Sequence, residues 1–200
     1  QRYKNEIIEE VPEVDAVLGT TSYGDILKAI REAMEGKHFQ EFKDIDYLPE
    51  KLGKRVLTTG GHFGYLKIAE GCDKHCTYCI IPKLRGKFRS VPMERLVTQA
   101  KEMAEEGVKE LILVAQETTV YGTDIYGKKS LHILLKELCK IKGIRWIRVL
   151  YCYPEEIYDE LIQTMKEEKK ICHYLDLPIQ HASDRILKRM GRRTTQAELV

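Results

Sequence analysis

The sequence predicts a parallel α/β architecture, a barrel of repeated strand and helix units or part of one. From residue 62 onward, short apolar runs alternate with amphipathic segments of helical period, and residue pairs that would close a β-hairpin are almost absent. Strands separated by helices must be joined by crossovers, which are right-handed and pair the strands in parallel. Each of four such runs is also followed by polar or aromatic residues, a change of character expected where βα loops converge on a pocket.

Before that region, Val14 to Leu18 predicts a short strand. A helix follows, with Ile26, Leu27, Ile30, Ala33 and Met34 on one face and an end near Gly36. One strand and one helix cannot bury a core, so residues 1–36 are expected to be the last βα unit of a preceding α/β domain. Residues 37–61 are polar and charged, with Pro49, Gly53, Gly60 and Gly61, and predict a linker with room for an edge strand at Arg55 to Thr59. Residues 62–200 form the expected barrel portion. Gln1 is not a Met and the chain stops abruptly at Val200, so a piece of a longer protein is expected.

In the barrel portion, Tyr65 to Ala69 is the first strand and leads into the loop from Glu70 to Cys79. Ser90 is suited to cap a helix with Pro92 and Glu94 in its first turn, Leu96, Val97, Ala100, Met103 and Ala104 on its apolar face, and Gly107 as its C′ residue. Glu110 to Ala115 reads as a strand covered on both faces. Ser130 opens a helix with Leu131, Leu134, Leu135 and Leu138 turned inward and Gly143 closing it. Trp146 to Leu150 is the next strand, Pro154-Glu155-Glu156 starts the next helix, Tyr174 to Leu177 is the fourth strand, and Ser183 or Asp184 caps a helix ending at Gly191.

Composition narrows the function class. Net charge is +2 and 32% of residues are charged, which carries no strong bias towards polyanions, so nucleic acid is not required by charge. No apolar run approaches the roughly 18 residues a membrane span needs, so no membrane role is expected and the cytoplasm is the default. Three of the six cysteines, Cys72, Cys76 and Cys79, crowd into one loop at C-x-x-x-C-x-x-C spacing. A closed zinc site takes four ligands, and so does a ferredoxin-type cluster, so three thiols point to an iron–sulfur cluster with one iron left open. Zinc, with His75 or a distant Cys as fourth ligand, is the alternative. Cys139, Cys152 and Cys172 are scattered singly and read as small buried apolar residues.

The cysteine loop, with Tyr78 just before its third Cys, resembles the signature of the radical S-adenosylmethionine (SAM) superfamily. Further stretches resemble its methylthiotransferase branch: Arg85-Gly86-Lys87-Phe88-Arg89-Ser90, Gln116-Glu117-Thr118-Thr119-Val120-Tyr121-Gly122, Leu150-Tyr151-Cys152-Tyr153-Pro154, and Leu177-Pro178-Ile179-Gln180-His181-Ala182-Ser183-Asp184. Within the branch they are most similar to enzymes that methylthiolate an aspartate of a small-subunit ribosomal protein. The tRNA-adenosine methylthiotransferases tend to carry Gln-Asn-Val and Gln-Ser-Gly-Ser elements instead.

The resemblance implies an incomplete (βα)6 radical SAM barrel with a 4Fe-4S cluster on Cys72, Cys76 and Cys79, and SAM on the open iron. Tyr78, Gln116, Glu117 and Gln180 are the candidate cofactor-binding residues, although Glu117 stands where Asp is common. It implies a second 4Fe-4S cluster held in the full-length protein only, by cysteines preceding Gln1, and a small β-rich substrate domain beyond Val200. Its implied partners are the ribosomal protein, an external electron donor and a sulfur source. A non-catalytic zinc or iron–sulfur module and a tRNA-modifying enzyme are the competing functions. The roles of His181 and the basic loop 83–89 stay open.

Overall fold

The computed structural model describes residues 3–48, 56–58 and 60–199. They fall into two compact units, one of residues 1–55 with Lys83–Gly86 and one of Val56–Pro82 with Lys87–Val200.

The first unit holds helix α1 (Lys4–Glu10), strand β1 (Ala16–Leu18), helix α2 (Ile26–Met34) and strand β2 (Phe39–Glu41). β1 and β2 pair in parallel, Val17 opposite Gln40, so β1, α2 and β2 make one βαβ crossover. The expected linker therefore begins with a strand. A lone β1 would leave its backbone groups unpaired, and Phe39–Glu41 supplies the partner ladder. Val56–Thr58, at the expected edge strand, has no regular structure, and Arg55 and Thr59 lie outside the described residues. α2 buries only Ala29 and leaves Leu27 and Met34 65% and 84% exposed, so among the described residues its predicted apolar face is largely uncovered.

In the second unit, strand β3 (Phe63–Lys67) runs into the short strand β4 (Ala69–Glu70). Ile68 marks the break: its N–H donates to Val114 O (3.0 Å), while its carbonyl accepts from Val91 N (2.9 Å), so the chain changes partner there. Helix α3 (Ile81–Arg85), whose residues from Lys83 on count with the first unit, and strand β5 (Arg89–Ser90) follow in sequence, and β5 pairs antiparallel with β4. Ser90 is thus a strand residue and not the expected cap. Its hydroxyl accepts from Gly122 N (2.9 Å), Pro92 takes the N-cap position, and helix α4 runs Met93–Glu105. Gly107, at φ 102°, ends α4 as expected, with Val108 N bonded back to Met103 O (3.0 Å).

The remaining elements are β6 (Glu110–Val114), α5 (Leu131–Cys139), β7 (Trp146–Val149), α6 (Asp159–Glu167), β8 (Ile171–Leu175), α7 (Asp184–Arg189) and α8 (Gln196–Leu199). β3, β6, β7 and β8 form a four-stranded all-parallel sheet in that order. β8 starts at Ile171, earlier than expected, because buried Ile171 is the residue in register with Ile147.

Strand alternation sorts the side chains. Leu66, Leu111, Leu113, Ile147 and Val149 point to one face and are buried in a core with Leu96, Ala100 and Met103 of α4 and Leu131, Leu134, Leu135 and Leu138 of α5. Each of these leucine, isoleucine, valine and methionine side chains stabilises the fold by roughly 1.5–3 kcal/mol relative to exposure. The opposite, inner face carries Tyr65, Lys67, Ile112, Val114 and Arg148 and is only partly covered, so β6 is not buried on both sides as its composition predicts. An ion pair from Arg148 Nε to Glu110 Oε1 (2.7 Å) lies on this face.

Candidate active site

The cysteine loop leaves the C-terminal end of β3 and is closed at its base by the β4–β5 ladder, in which Glu70 opposes Arg89. Gly71 N donates to Gln116 Oε1 (2.8 Å) and Phe88 N to Asp73 Oδ1 (3.0 Å), which fix the two ends. The outer turn docks on the end of α7: Thr77 N donates to Met190 O (3.0 Å) and Thr77 Oγ1 to Arg189 O (3.2 Å). Gly191 permits this approach, since it adopts φ 72° and a Cβ there would lie 2.9 Å from His75 O. Cys72 and Cys76 are buried and Cys79 is exposed, and burial pushes the Cys72 thiol above its ordinary range. Ile81 N donates to Cys79 Sγ at 3.4 Å.

Two cavities meet at this loop. One, of about 340 Å³, is lined by Cys72, Cys76, Lys74, Glu117, Glu155 and Arg192. The other, of about 530 Å³, is lined by Cys76, Tyr78, Cys79, Gln116, Tyr151 and Gln180, together with Lys67 and Tyr153. The structure therefore brings Tyr78, Gln116 and Gln180 together beside two of the cysteines, and sets Glu117 apart beside Cys72. Glu117 is 1% exposed; its Oε1 accepts from Thr119 N (3.1 Å) and from Thr119 Oγ1, while Oε2 has no hydrogen-bond partner among the described residues. Burial pushes its carboxyl up to about 7, against the pull of the Thr119 bonds.

Charged side chains missed from sequence line the first cavity. Arg192 lies over the Tyr153 ring (4.2 Å), pairs with Glu155 Oε2 (3.2 Å) and donates to Pro178 O (3.3 Å). Lys74 pairs with Glu156, which Lys129 also holds at 3.0 Å. Burial opposes ionisation of Glu156, but the two ammonium groups keep its carboxyl below the usual range. Position within the loop was the signal for Lys74; Arg192 lies beyond the last predicted helix and carries none. His181 Nδ1 accepts from Ser183 N (2.9 Å), within its own turn. Cys152 is fully buried in the core, whereas Cys139 and Cys172 are only half-buried.

Backbone strain marks the second cavity. Among the described residues, the non-glycine positions with positive φ are Tyr151 (58°) and Gln180 (66°), and both line it. Such conformations cost of order 1 kcal/mol or more and persist where surrounding structure imposes them. For Tyr151, Asp176 Oδ2 accepts its N–H (3.0 Å) and its carbonyl accepts from Thr118 N (3.1 Å).

Residues 66–200 match the family model described as the radical SAM superfamily. The chain belongs to that superfamily. Over all 200 residues it is 68% identical to the ribosomal protein uS12 methylthiotransferase RimO of Lachnoclostridium phytofermentans, and it is 50% identical to the RimO of Clostridioides difficile. It spans 46% and 45% of those proteins, about half the length of each. Among solved structures, the radical SAM methyltransferase TsrM from Kitasatospora setae superposes with a TM-score of 0.55 at 16% identity, covering 70% of this chain and 27% of TsrM. The cobalamin-dependent radical SAM enzyme OxsB gives 0.54 at 15%, covering 67% of this chain and 20% of OxsB. Both likenesses concern the fold, a partial parallel α/β barrel.

The radical SAM superfamily implies a 4Fe-4S cluster and SAM, and the residues present fit that pair. A donor set of three thiols on one loop, with a backbone N–H already directed at Cys79 Sγ, suits iron–sulfur chemistry. Among the described residues, no three His, Cys, Asp or Glu side chains converge as a single metal ion requires. Thiolates that each hold a different iron of a cluster need not converge in that way.

Proposed function

We propose that the protein of which this chain is a part is a radical SAM methylthiotransferase acting on the β-carbon of an aspartate in ribosomal protein uS12. The observation that carries it is the 68% identity to a uS12 methylthiotransferase across every residue of the chain. The cavity of about 530 Å³ beside Cys76 and Cys79 supports it, because it opens at the C-terminal end of the parallel strands.

On this proposal Cys72, Cys76 and Cys79 hold the cluster, and Tyr78, Gln116 and Gln180 line the SAM side. When bound, cluster and SAM supply reductive cleavage of SAM to a carbon radical that removes hydrogen from the substrate. The chain's own residues position and enclose. Gln116 pins the loop through Gly71 N, which leaves its amide N–H₂ for the cofactor. Tyr78, Tyr151 and Tyr153 wall the cavity with aromatic surface and thin the water around the reacting atoms. Glu117 faces the neighbouring cavity beside Cys72. The second cluster, the sulfur source and the electron donor belong to the whole protein and its partners, which work in the cytoplasm and need no nucleic acid.

Anaerobic reconstitution of the full-length protein with iron and sulfide tests the cofactor assignment. A cluster of about four irons on the three cysteines whose EPR spectrum changes on adding SAM supports it; tight stoichiometric zinc without response to SAM overturns it. Mass spectrometry of uS12 and tRNA from a deletion strain tests the substrate. Loss of a tRNA modification with the uS12 aspartate still modified would assign the enzyme to tRNA.

A further inference from the structure

The inner face of the sheet carries a cation beside the cysteines. Lys67 is the last residue of β3 and stands in register with Val114, so alternation turns it to the same face as Tyr65, away from the helices. It lines the larger cavity with Cys76, Cys79 and Gln116. Among the described residues lining that cavity, it carries the single fixed positive charge; the others are amides, tyrosines, apolar groups and two thiols. Its ammonium pairs with Glu70, three residues on and in the ladder that closes the cysteine loop. The Lys67 side chain is half exposed. Glu70 thus holds the cation at the loop base and leaves it open to a further acceptor.

A half-exposed ammonium held by Glu70 and set among amides and phenols can take a further carboxylate, through a charge-assisted hydrogen bond. The geometry points to Lys67 as the residue that recognises the side-chain carboxylate of the substrate aspartate. This inference rests on the proposed reaction. The resemblance to radical SAM enzymes implies that the open iron would take SAM through its amino and carboxylate groups, so the carboxylate that still needs a counter-charge is the substrate's. Holding it would place the adjacent β-carbon towards the cysteine loop, which supplies orientation that a mobile peptide lacks.

The test uses the full-length, cluster-reconstituted protein and uS12 carrying Asp or Asn at the modified position, with dissociation constants from anisotropy. Wild type is expected to favour the Asp form by about ten- to a hundredfold. K67Q should erase that preference while iron content and the SAM-induced EPR change stay as in wild type, and K67R should restore part of it. An Asp preference that survives in K67Q overturns the inference. So does a fall in SAM affinity with the preference intact, which would give Lys67 to SAM's carboxylate, and so does loss of iron in both variants, which would make it structural. A wild-type protein that fails to modify the uS12 aspartate sinks the proposed function itself, before any variant is compared.

Discussion

Glu117 is a carboxyl sealed beside a cysteine, and its environment makes a pH prediction. With the unfolded value near 4.5 and the folded one at about 7, the native state binds the extra proton between them. The contribution of Glu117 to the stability of the cluster-free protein should therefore be fully present below about 4.5 and lost as pH rises through about 7, by roughly 3 kcal/mol at most. Glu117→Gln keeps an acceptor for Thr119 and removes the charge, so urea unfolding at pH 8 should show a more stable protein and a flatter pH slope; an unchanged slope would refute the assignment. Among the cysteines, replacing Cys72, Cys76 or Cys79 by Ala should abolish binding of the cluster on this loop and its EPR response to SAM, with far-UV circular dichroism retained, since helix and strand burial hold the domain. Cys152→Ala should keep the iron and cost about 1–2 kcal/mol for the void left in the core. Burial pushes the Cys139 and Cys152 thiols up to about 11, a range in which neither ligates nor reacts readily.

At the scale of elements, the end of α7 is a dock for the cysteine loop. Gly191→Ala would add the left-handed penalty of about 1 kcal/mol and a Cβ at 2.9 Å from His75 O, which is backbone and cannot swing aside. Destabilisation of about 1–3 kcal/mol with reduced iron content is expected from denaturation and iron assay; loss of stability with full iron retention would show that the dock does not position the loop. The sequence disclosed this helix and its terminal glycine, but not what the glycine admits. Ser90 teaches a similar lesson. Its type and its distance from an apolar helix both fit an N-cap, yet the need to close the cysteine loop claims it for β5, and its hydroxyl serves Gly122. Local propensity lost to a longer-range ladder.

For the whole molecule, the core between the sheet and α4–α6 dominates stability. Leu134→Ala, at a fully buried α5 position, should cost about 2–5 kcal/mol in urea unfolding, several times the effect expected of a substitution at half-exposed Tyr174. What the sequence determined by itself was local and periodic: the spacing of Cys72, Cys76 and Cys79, the parallel order implied by alternating strands and helices, and the polar character of each strand end. These are legible because cluster ligation, amphipathic burial and crossover chirality act over short stretches of chain. Tertiary structure alone decided that Glu117 and Gln116, adjacent in sequence, face different cavities, that Lys67 lines one cavity with Cys76 and Cys79, and that Arg192 reaches Tyr153 and Glu155 from 39 and 37 residues away. Those placements depend on the alternation phase at each strand end and on contacts between distant loops, and neither is written in any one stretch of residues.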